Sequence, residues 1–268
     1  MQAADSTVPG RSDRECLESW ARHGDADSLR TLVERYLAFV HSSALRRTGD
    51  AAKAAEVTRA VFLVLARRAR RLRKNIVLAG WLFHVTAVAC RKLTRERFGR
   101  IRRLWHWISR KPRPALPLDA TLWTRLAPQM DSTLERLRTK QRNAVLLCAF
   151  LNHDSASAAK ILRTSERRVE KRVRRGMKNL ANRLRKRRAP VDPDALASAC
   201  ATEGCAATVP ENLSLDILQS MEASRGQRPS LRLARRTLNT LAWLRWRRRF
   251  VIGVPTVGIL IATLGGFA

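Results

Sequence analysis

The stretch SERRVEKRVRRGMKNL, residues 165–180, combines a dense positive charge with a regular apolar spacing. Seven of its residues are Lys or Arg and only two are Glu. Its apolar residues recur at the three- or four-residue spacing that places side chains on one face of a helix. They are Val169, Val173, Met177 and Leu180. The opposite face then carries Arg168, Arg172, Arg175 and Asn179. We therefore predict an amphipathic helix with one buried face and one strongly basic face.

The residues before this helix have the layout of the first half of a helix-turn-helix. Ala158 and Ala159 are small enough for a second helix to cross closely, and Ser165 suits the N-cap of that helix. The apolar residues predicted to fill the angle between the two helices are Ile161, Leu162, Val169 and Val173. An outward row of arginines suits phosphates and guanine edges in a DNA major groove. The alternative is a solvated helix without a partner, but such helices usually alternate the signs of their charges.

The composition favours a polyanion as the partner. The net charge is +31 over 268 residues, and a protein that binds a polyanion gains affinity by releasing its condensed counterions. The charge is also uneven, since residues 160–188 hold fourteen Lys or Arg against two Asp or Glu, whereas residues 1–40 hold five against seven. The basic character is therefore concentrated around the predicted DNA-reading helix.

No arrangement of nucleophile, general base or metal ligands accompanies this charge, so the sequence predicts neither an enzyme nor a metal site nor a cofactor. The five cysteines form no CxxC or Cys/His pattern. We interpret Cys90 and Cys148 as small core residues. Cys200 and Cys205 are expected to be reduced, with a disulfide or a weak metal pair as the alternative.

Helical periodicity dominates the first hundred residues, and no alternating strand pattern persists there. The segment DRECLESWARH is expected to end at Gly24, and Asp27 or Ser28 is expected to cap the next helix. Further amphipathic segments follow over 51–72 and from Gly80 onward. The sequence therefore predicts an all-α fold.

A proline-rich stretch separates two helical domains. It reads RKPRPALPLDA and has three prolines in six positions, which a continuous helix cannot accommodate. A second unit is expected to start near Asp131, where Ser132 and Glu135 form a capping-box pattern. The predicted division of the chain is a first helical domain over 13–103, a linker over 104–130, a helix-turn-helix domain over 131–188, a flexible spacer over 189–230, and a basic helix with a hydrophobic segment over 231–268.

The chain closes in nineteen uncharged residues, 250–268. As a helix they would extend about 28 Å, close to the thickness of a bilayer core. The aromatic and basic residues that precede them are Trp243, Arg245, Trp246, Arg247, Arg248 and Arg249. Such a flank suits a membrane interface and would keep the N-terminal side in the cytoplasm. The sequence predicts a transmembrane anchor, with a buried helix or a partner-binding tail as the alternatives.

The ordered set of helical segments resembles a sigma-70 family factor of the extracytoplasmic-function (ECF) type. The matching segments are LVERYLAFVHSSALRRTGD, AAEVTRAVFLVLARRA, GWLFHVTAVACRKLTRER, the proline-rich linker, LERLRTKQRNAVLLCAFL and the helix-turn-helix. They span about residues 13–188, roughly two-thirds of the chain. The resemblance implies two helical domains, region 2 and region 4, and no catalytic site. It also implies binding to core RNA polymerase, with region 2 opening the promoter −10 element and region 4 reading the −35 element.

The resemblance assigns roles to particular residues. Those implied for the −35 element are Ser165, Arg167, Arg168, Lys171, Arg172, Arg175 and Asn179. Those implied for the −10 element are Arg73, Lys74, Asn75, His84, Arg91 and Arg95. The polymerase-facing helix would be 51–66, with Asp50 and Glu56 as its contacts.

Two places depart from the family pattern. The polymerase-facing helix has Lys53, Arg59 and Ala60 where acidic or amide residues are common. The helix-turn-helix has Ser157 where Glu is frequent, and Arg163 in a turn where Gly is common. An arginine in a left-handed turn costs about 1 kcal/mol.

The expected partners are core RNA polymerase, promoter DNA, a membrane through 250–268, and a separate anti-sigma regulator. The expected location is the cytoplasm, at the inner face of the cell membrane. Two alternatives remain open: a membrane-tethered helix-turn-helix regulator that acts without the polymerase, and a basic scaffold that binds nucleic acid or anionic lipid without sequence specificity.

Overall fold

A computed structural model of the chain describes residues 11–72, 76–97, 122–186, 189, 191–223, 234–235 and 237–239. Within these ranges ten α-helices occur and no strand does, which confirms the all-α prediction. The helices are α1 (Asp13–His23), α2 (Ala26–Thr48), α3 (Ala51–Arg68), α4 (Leu78–Arg97), α5 (Leu122–Leu134), α6 (Thr139–Val145), α7 (Ser155–Leu162), α8 (Glu166–Arg185), α9 (Pro193–Glu203) and α10 (Leu213–Ala223). A 3-10 turn, Ala69–Arg71, follows α3, and a π-helical turn, Leu146–Phe150, follows α6.

Local capping chemistry sets the ends of the first helices. Ser12 and Glu15 form a capping box at the start of α1, with the Ser12 hydroxyl and the Glu15 carboxylate each accepting the other's backbone N–H. Gly24 ends α1 in the left-handed conformation, as predicted, with φ 71°. The N-cap of α2 is Asp25, so the prediction of Asp27 or Ser28 is wrong. Asp25 suits the position because its carboxylate accepts the Asp27 N–H at 3.1 Å.

Helices α1 to α4 pack around one apolar core. Its largest fully buried side chains include Leu32, Tyr36, Phe62 and Phe83, each at most 1% exposed. Burying each such side chain stabilises the fold by about 1.5–3 kcal/mol. Helices α2 and α3 supply most of this core, because a three- and four-residue spacing places their apolar residues on the inward faces.

His41 is a polar residue buried in this core. It is 1% exposed, and neither ring nitrogen has a hydrogen-bond partner among the described residues. Burial lowers the pKa of His41 below its usual value. The folded state therefore binds the proton less readily than the unfolded state, so stability is lost as the pH falls below the unfolded pKa of about 6.5.

Replacing His41 with Leu is expected to raise the free energy of unfolding by about 1 kcal/mol at pH 8, because an unsatisfied buried polar group is removed. The gain should be larger at pH 5.5, where the wild type pays to keep the imidazole neutral. Urea unfolding at both values of pH measures the difference. His23→Gln, at an exposed position, is the control, and an equal gain for His41→Leu at both pH values would contradict the titration.

The second helical unit begins earlier than predicted. Helix α5 starts at Leu122, inside the expected linker 104–130, and contains Pro128. The predicted capping box is wrong, because Ser132 lies in the last turn of α5 and its hydroxyl donates to the Gln129 carbonyl at 3.0 Å. Glu135 follows the helix and pairs with Arg47 of α2 at 2.6 Å. Glu135, which was predicted to belong to a helix start, thus contributes to the contact between the two domains.

A buried ionic cluster joins the first domain to the second. The Arg46 Nε and the Asp131 carboxylate lie 2.9 Å apart, with side chains 7% and 4% exposed. The Ser43 hydroxyl donates to the same carboxylate at 3.1 Å. The Arg46 guanidinium also lies 5.6 Å from the ring centroids of Trp123 and Phe150. This cation is therefore desolvated and held by one carboxylate and two aromatic rings.

The predicted spacer 189–230 contains two helices, α9 and α10. Leu196 and Cys200 of α9 are fully buried, and α9 packs on α5 and α8 of the second domain. Helix α10 packs on α2 and α3 of the first domain. Apolar residues of both domains and of both added helices form one continuous buried cluster. The weak sequence pattern reflects short helices with only two or three buried apolar residues each.

The cysteines of the described residues are all free thiols. Cys90 is buried, as predicted, and Cys148 is half-buried. Burial raises the pKa of Cys90 and Cys200 to about 12 and that of Cys205 to about 11. These thiols stay protonated near neutral pH, and protonated thiols are weak nucleophiles and weak metal ligands.

The predicted hydrophobic helix over 250–268 lies outside the described residues. None of the helices in the described ranges combines the length and the apolar character that a bilayer crossing needs.

Candidate nucleic-acid interface

Helices α7 and α8 form the predicted helix-turn-helix. Asp154 caps α7 by accepting the Ser157 N–H, and Ala158 and Ala159 are buried where α8 crosses. Arg163 closes the turn in the left-handed conformation, with φ 49° and ψ 56°. The turn therefore keeps the geometry that usually favours glycine. The Arg163 side chain is exposed beside α8.

The inner stripe of α8 anchors the recognition helix to the second domain. Val169 and Leu180 are fully buried and Met177 is 3% exposed, as the spacing predicted. A Cβ on Gly176 would lie 2.6 Å from Cγ2 of Val145, so this glycine allows α6 to approach α8 closely. Ile161 is 36% exposed, so its predicted place between the two helices is wrong, because α7 presents its alanines to α8 instead.

The outer face of α8 presents the residues predicted for the −35 element. Those that are exposed are Ser165, Arg167, Arg168, Lys171, Arg175 and Asn179. Arg172 is half-buried. The Asn179 amide donates to Oε1 of Gln141 at 3.3 Å, which orients the C-terminal part of the face. Ser165 takes the predicted N-cap position, although its side chain makes no capping bond.

Two further cations adjoin this face and were missed by sequence reasoning. Lys160 and Arg163 line an open depression at the turn together with Ser165 and Arg167. A phosphate next to the turn would meet these side chains. The signal was present in the sequence, since both residues flank the turn.

The residues predicted for the −10 element are only partly brought together. His84 is exposed on α4. Arg91 donates from Nη1 to Oε2 of Glu135 at 3.0 Å, across to the second domain. Arg95 belongs to α4, but its side chain lies outside the described residues, as do Arg73, Lys74 and Asn75. On the described part of this face, His84 is therefore exposed, whereas Arg91 is held in an ion pair between the two domains.

The helix predicted to face the polymerase is α3. Asp50 is its N-cap and accepts the Lys53 N–H at 3.1 Å. Hydrogen bonds from the Lys53 side chain and backbone lower the pKa of Asp50. Glu56 is half-buried one and a half turns further along. Arg59 lies 3.5 Å from the Asp216 carboxylate of α10, so this helix meets the C-terminal helices as well as solvent.

The described residues contain no group of three or more His, Cys, Asp or Glu side chains that could hold a metal ion. The exposed face of α8 offers guanidinium and ammonium groups for hydrogen bonds and charge interactions. Such groups position a protein on phosphates and read guanine edges.

Comparison with family models agrees with this division into two helical domains. Residues 32–98 match Sigma-70 region 2, and residues 128–180 match Sigma-70, region 4. The first range runs from within α2 to the end of α4, and the second runs from within α5 into α8. A comparison with curated proteins found no significant match.

The chain belongs to the sigma-70 family, and its pair of regions defines a factor of the ECF type. It is a sigma factor that binds core RNA polymerase and promoter DNA and directs promoter recognition and transcription initiation.

Proposed function

We propose that α8 reads the −35 element through its exposed basic face, while α4 and the loop before it engage the −10 element. The observation that carries this proposal is the recognition helix, whose inner stripe is fixed in a domain core and whose outer face is dominated by Arg and Lys. The residues assigned to the −35 element are Ser165, Arg167, Arg168, Lys171, Arg172, Arg175 and Asn179. We add Lys160 and Arg163 as phosphate contacts at the turn.

The −10 element is assigned to Arg73, Lys74, Asn75, His84, Arg91 and Arg95. In this proposal Arg91 exchanges its ion pair with Glu135 for a DNA phosphate. The exchange is feasible because the Arg91 side chain is 58% exposed, so solvent already weakens that pair.

The polymerase contact is assigned to the N-terminal half of α3, with Asp50 and Glu56. The match to region 2 favours this sigma subunit over a helix-turn-helix regulator that acts without the polymerase. A nonspecific basic scaffold is disfavoured by the fixed geometry of the helix-turn-helix.

Replacing Asp50 with Asn separates its role as the N-cap of α3 from its proposed role as a polymerase contact. The amide oxygen still caps α3, so the free energy of unfolding should change by less than about 0.5 kcal/mol, whereas Asp50→Ala should cost about 1 kcal/mol. Affinity for core RNA polymerase should fall about threefold in Asp50→Asn, because a charge at the edge of the contact is lost. Titration of labelled protein with core polymerase measures it.

The matched control is Asp192→Asn, at the N-cap of α9. It repeats the same chemical change away from α3 and should leave polymerase affinity unchanged. An equal loss of affinity in both variants would remove Asp50 from the proposed contact.

We further propose that 250–268 tethers the factor to the inner face of the cell membrane. The proposal is supported by the nineteen uncharged residues and by the basic, tryptophan-containing flank before them. In this arrangement the tether takes the role expected of a separate anti-sigma regulator, since it keeps the DNA-reading helices away from the chromosome.

Membrane fractionation tests the tether. The double variant Leu260→Arg and Ile261→Arg should move the full chain to the soluble fraction, because each central arginine costs about 2.5–3.5 kcal/mol of insertion free energy. Leu244→Arg, within the basic flank, is the control. Recovery of wild type in the soluble fraction would rule out the tether.

A further inference from the structure

Helix α10 covers part of the first domain with an apolar face. Leu213, Ile217 and Met221 lie four residues apart, and each is at most 1% exposed. Leu215 on the other side of the same helix is 58% exposed. Because α10 packs on α2 and α3, its buried stripe is an interface with region 2 and its exposed stripe faces solvent.

The face of α3 that meets α10 is marked by Arg59, which pairs with Asp216 at 3.5 Å. Ala55 and Leu63 lie four residues to either side of Arg59, hence on the same side of the helix. They are 8% and 1% exposed. Along this stripe α3 is thus covered, whereas the proposed polymerase contact requires access to the same helix.

The segment before α10, which contains α9, packs on the second domain. Leu196 and Cys200 bury α9 against region 4. Between α9 and α10 the chain is fixed to α2 by two hydrogen bonds. The Arg46 guanidinium donates to the Gly204 carbonyl at 2.6 Å, and the Ala207 N–H donates to the Ser42 hydroxyl at 3.3 Å. Residues 193–223 therefore link both domains through one continuous segment.

This arrangement cannot read a promoter. The −10 and −35 elements lie about 25 base pairs apart, or roughly 85 Å at 3.4 Å per pair. A compact body of the described size is roughly 40 Å across. Simultaneous contact with both elements requires region 2 and region 4 to separate. Residues 193–223 oppose that separation, together with the Arg46–Asp131 cluster that joins the two domains directly.

We propose that residues 193–223 form an intramolecular clasp, with α9 on region 4 and α10 on the α3 face of region 2, and that core RNA polymerase releases α10 when it binds α3. The clasp rests on the proposed use of α3 as the polymerase contact. It makes the free protein a closed form whose polymerase affinity is reduced by the fraction of molecules that are open.

The α3–α10 contact is suited to being replaced. Nε of Arg59 is buried without a hydrogen-bond partner among the described residues. The ion pair with Asp216 is only half-buried, with side chains 36% and 48% exposed, and such pairs are weak. A partner that offers Arg59 an additional hydrogen-bond acceptor therefore binds this position of α3 more favourably than α10 does.

The full-length variant Ile217→Asp tests the clasp, with Leu215→Asp as the matched control on the exposed face of the same helix. Affinity for purified core RNA polymerase should rise about tenfold in Ile217→Asp, because the open form becomes populated. Leu215→Asp should stay within about twofold of wild type. Unchanged or weaker binding by Ile217→Asp, with its helical circular dichroism retained, would overturn the proposal.

A second measurement does not depend on how the variant folds. Hydrogen exchange of wild-type protein should show amides of 213–223 losing protection when core polymerase is added, and retained protection would overturn the clasp. If wild type and both variants all fail to bind core polymerase, the assigned polymerase contact fails together with the clasp. Wild-type binding without exchange in 213–223 contradicts the clasp alone.

Discussion

Replacing Asp131 with Asn is expected to lower the free energy of unfolding by about 3–5 kcal/mol. The carboxylate is 4% exposed and faces Arg46, which is 7% exposed, at 2.9 Å. Arg47 lies 3.9 Å from the same carboxylate. Removing this negative charge leaves the desolvated Arg46 guanidinium without its carboxylate, while Arg47 keeps Glu135, at 2.6 Å. Guanidine hydrochloride would mask charge effects, so urea unfolding is the appropriate measurement.

Replacing both partners of the ion pair distinguishes the effect of an unpaired charge from the effect of lost packing. The double variant Arg46→Met with Asp131→Leu removes both ions and keeps apolar volume, so it should recover most of the loss. Asp27→Asn is the control, because the Asp27 side chain is 85% exposed and 3.9 Å from Arg30. Exposed pairs of that kind contribute at most about 1 kcal/mol. A loss under 1 kcal/mol in Asp131→Asn would mean that the two domains are not joined through this cluster.

Replacing Arg172 with Ala is expected to weaken binding to a selected promoter fragment by about 1–3 kcal/mol, or roughly 5- to 150-fold. Arg172 lies on the outer face of α8 but is half-buried, so its guanidinium is more restricted than those of Arg168 and Arg175. A restricted guanidinium loses less side-chain freedom on pairing with the two acceptors of a guanine edge. Specificity should relax at one base pair of the −35 element.

Salt dependence separates base reading from phosphate contact. If Arg172 touches only phosphate, affinity should fall evenly across sequences, and the slope of log K against log salt should decrease by about 1. The probe is a DNA fragment selected from a random pool by the polymerase complex. Arg14→Ala, an exposed arginine on α1 paired with Glu18, should leave affinity within about twofold. Equal affinities for wild type and Arg172→Ala would remove Arg172 from the proposed contact with the −35 element.

The recognition helix was the most predictable feature, because its apolar residues and its charges both follow the helical period. Val169, Met177 and Leu180 were placed inward correctly, and so was the basic face. Ile161 was misplaced because in a helix of eight residues several faces fit the same short apolar pattern.

The contact between the two domains could not be read from the sequence. Asp131 and Glu135 match a capping pattern, and only tertiary structure decides that their carboxylates serve Arg46 and Arg47 of a distant helix. The departures of α3 from its family pattern have a related explanation. Arg59 pairs with Asp216 of α10, and Ala60 is fully buried. At both positions α3 therefore packs against other parts of the same chain.

The C-terminal helices were missed for a physical reason as well. Helices α9 and α10 carry two and three buried apolar residues respectively, among alanines and serines that suit a loop equally well. Their stability comes from the faces of regions 2 and 4 that they cover, since isolated helices of eleven residues are marginal in water.

Transcription from genomic DNA fragments by purified core RNA polymerase, with and without the full-length chain, tests the central claim most directly. Sequencing the 5′ ends of the transcripts should reveal start sites that depend on the chain and share elements near −10 and −35. Arg172→Ala should lose a subset of those sites. The account would be contradicted if the chain protects specific DNA on its own but neither binds core polymerase nor changes any start site.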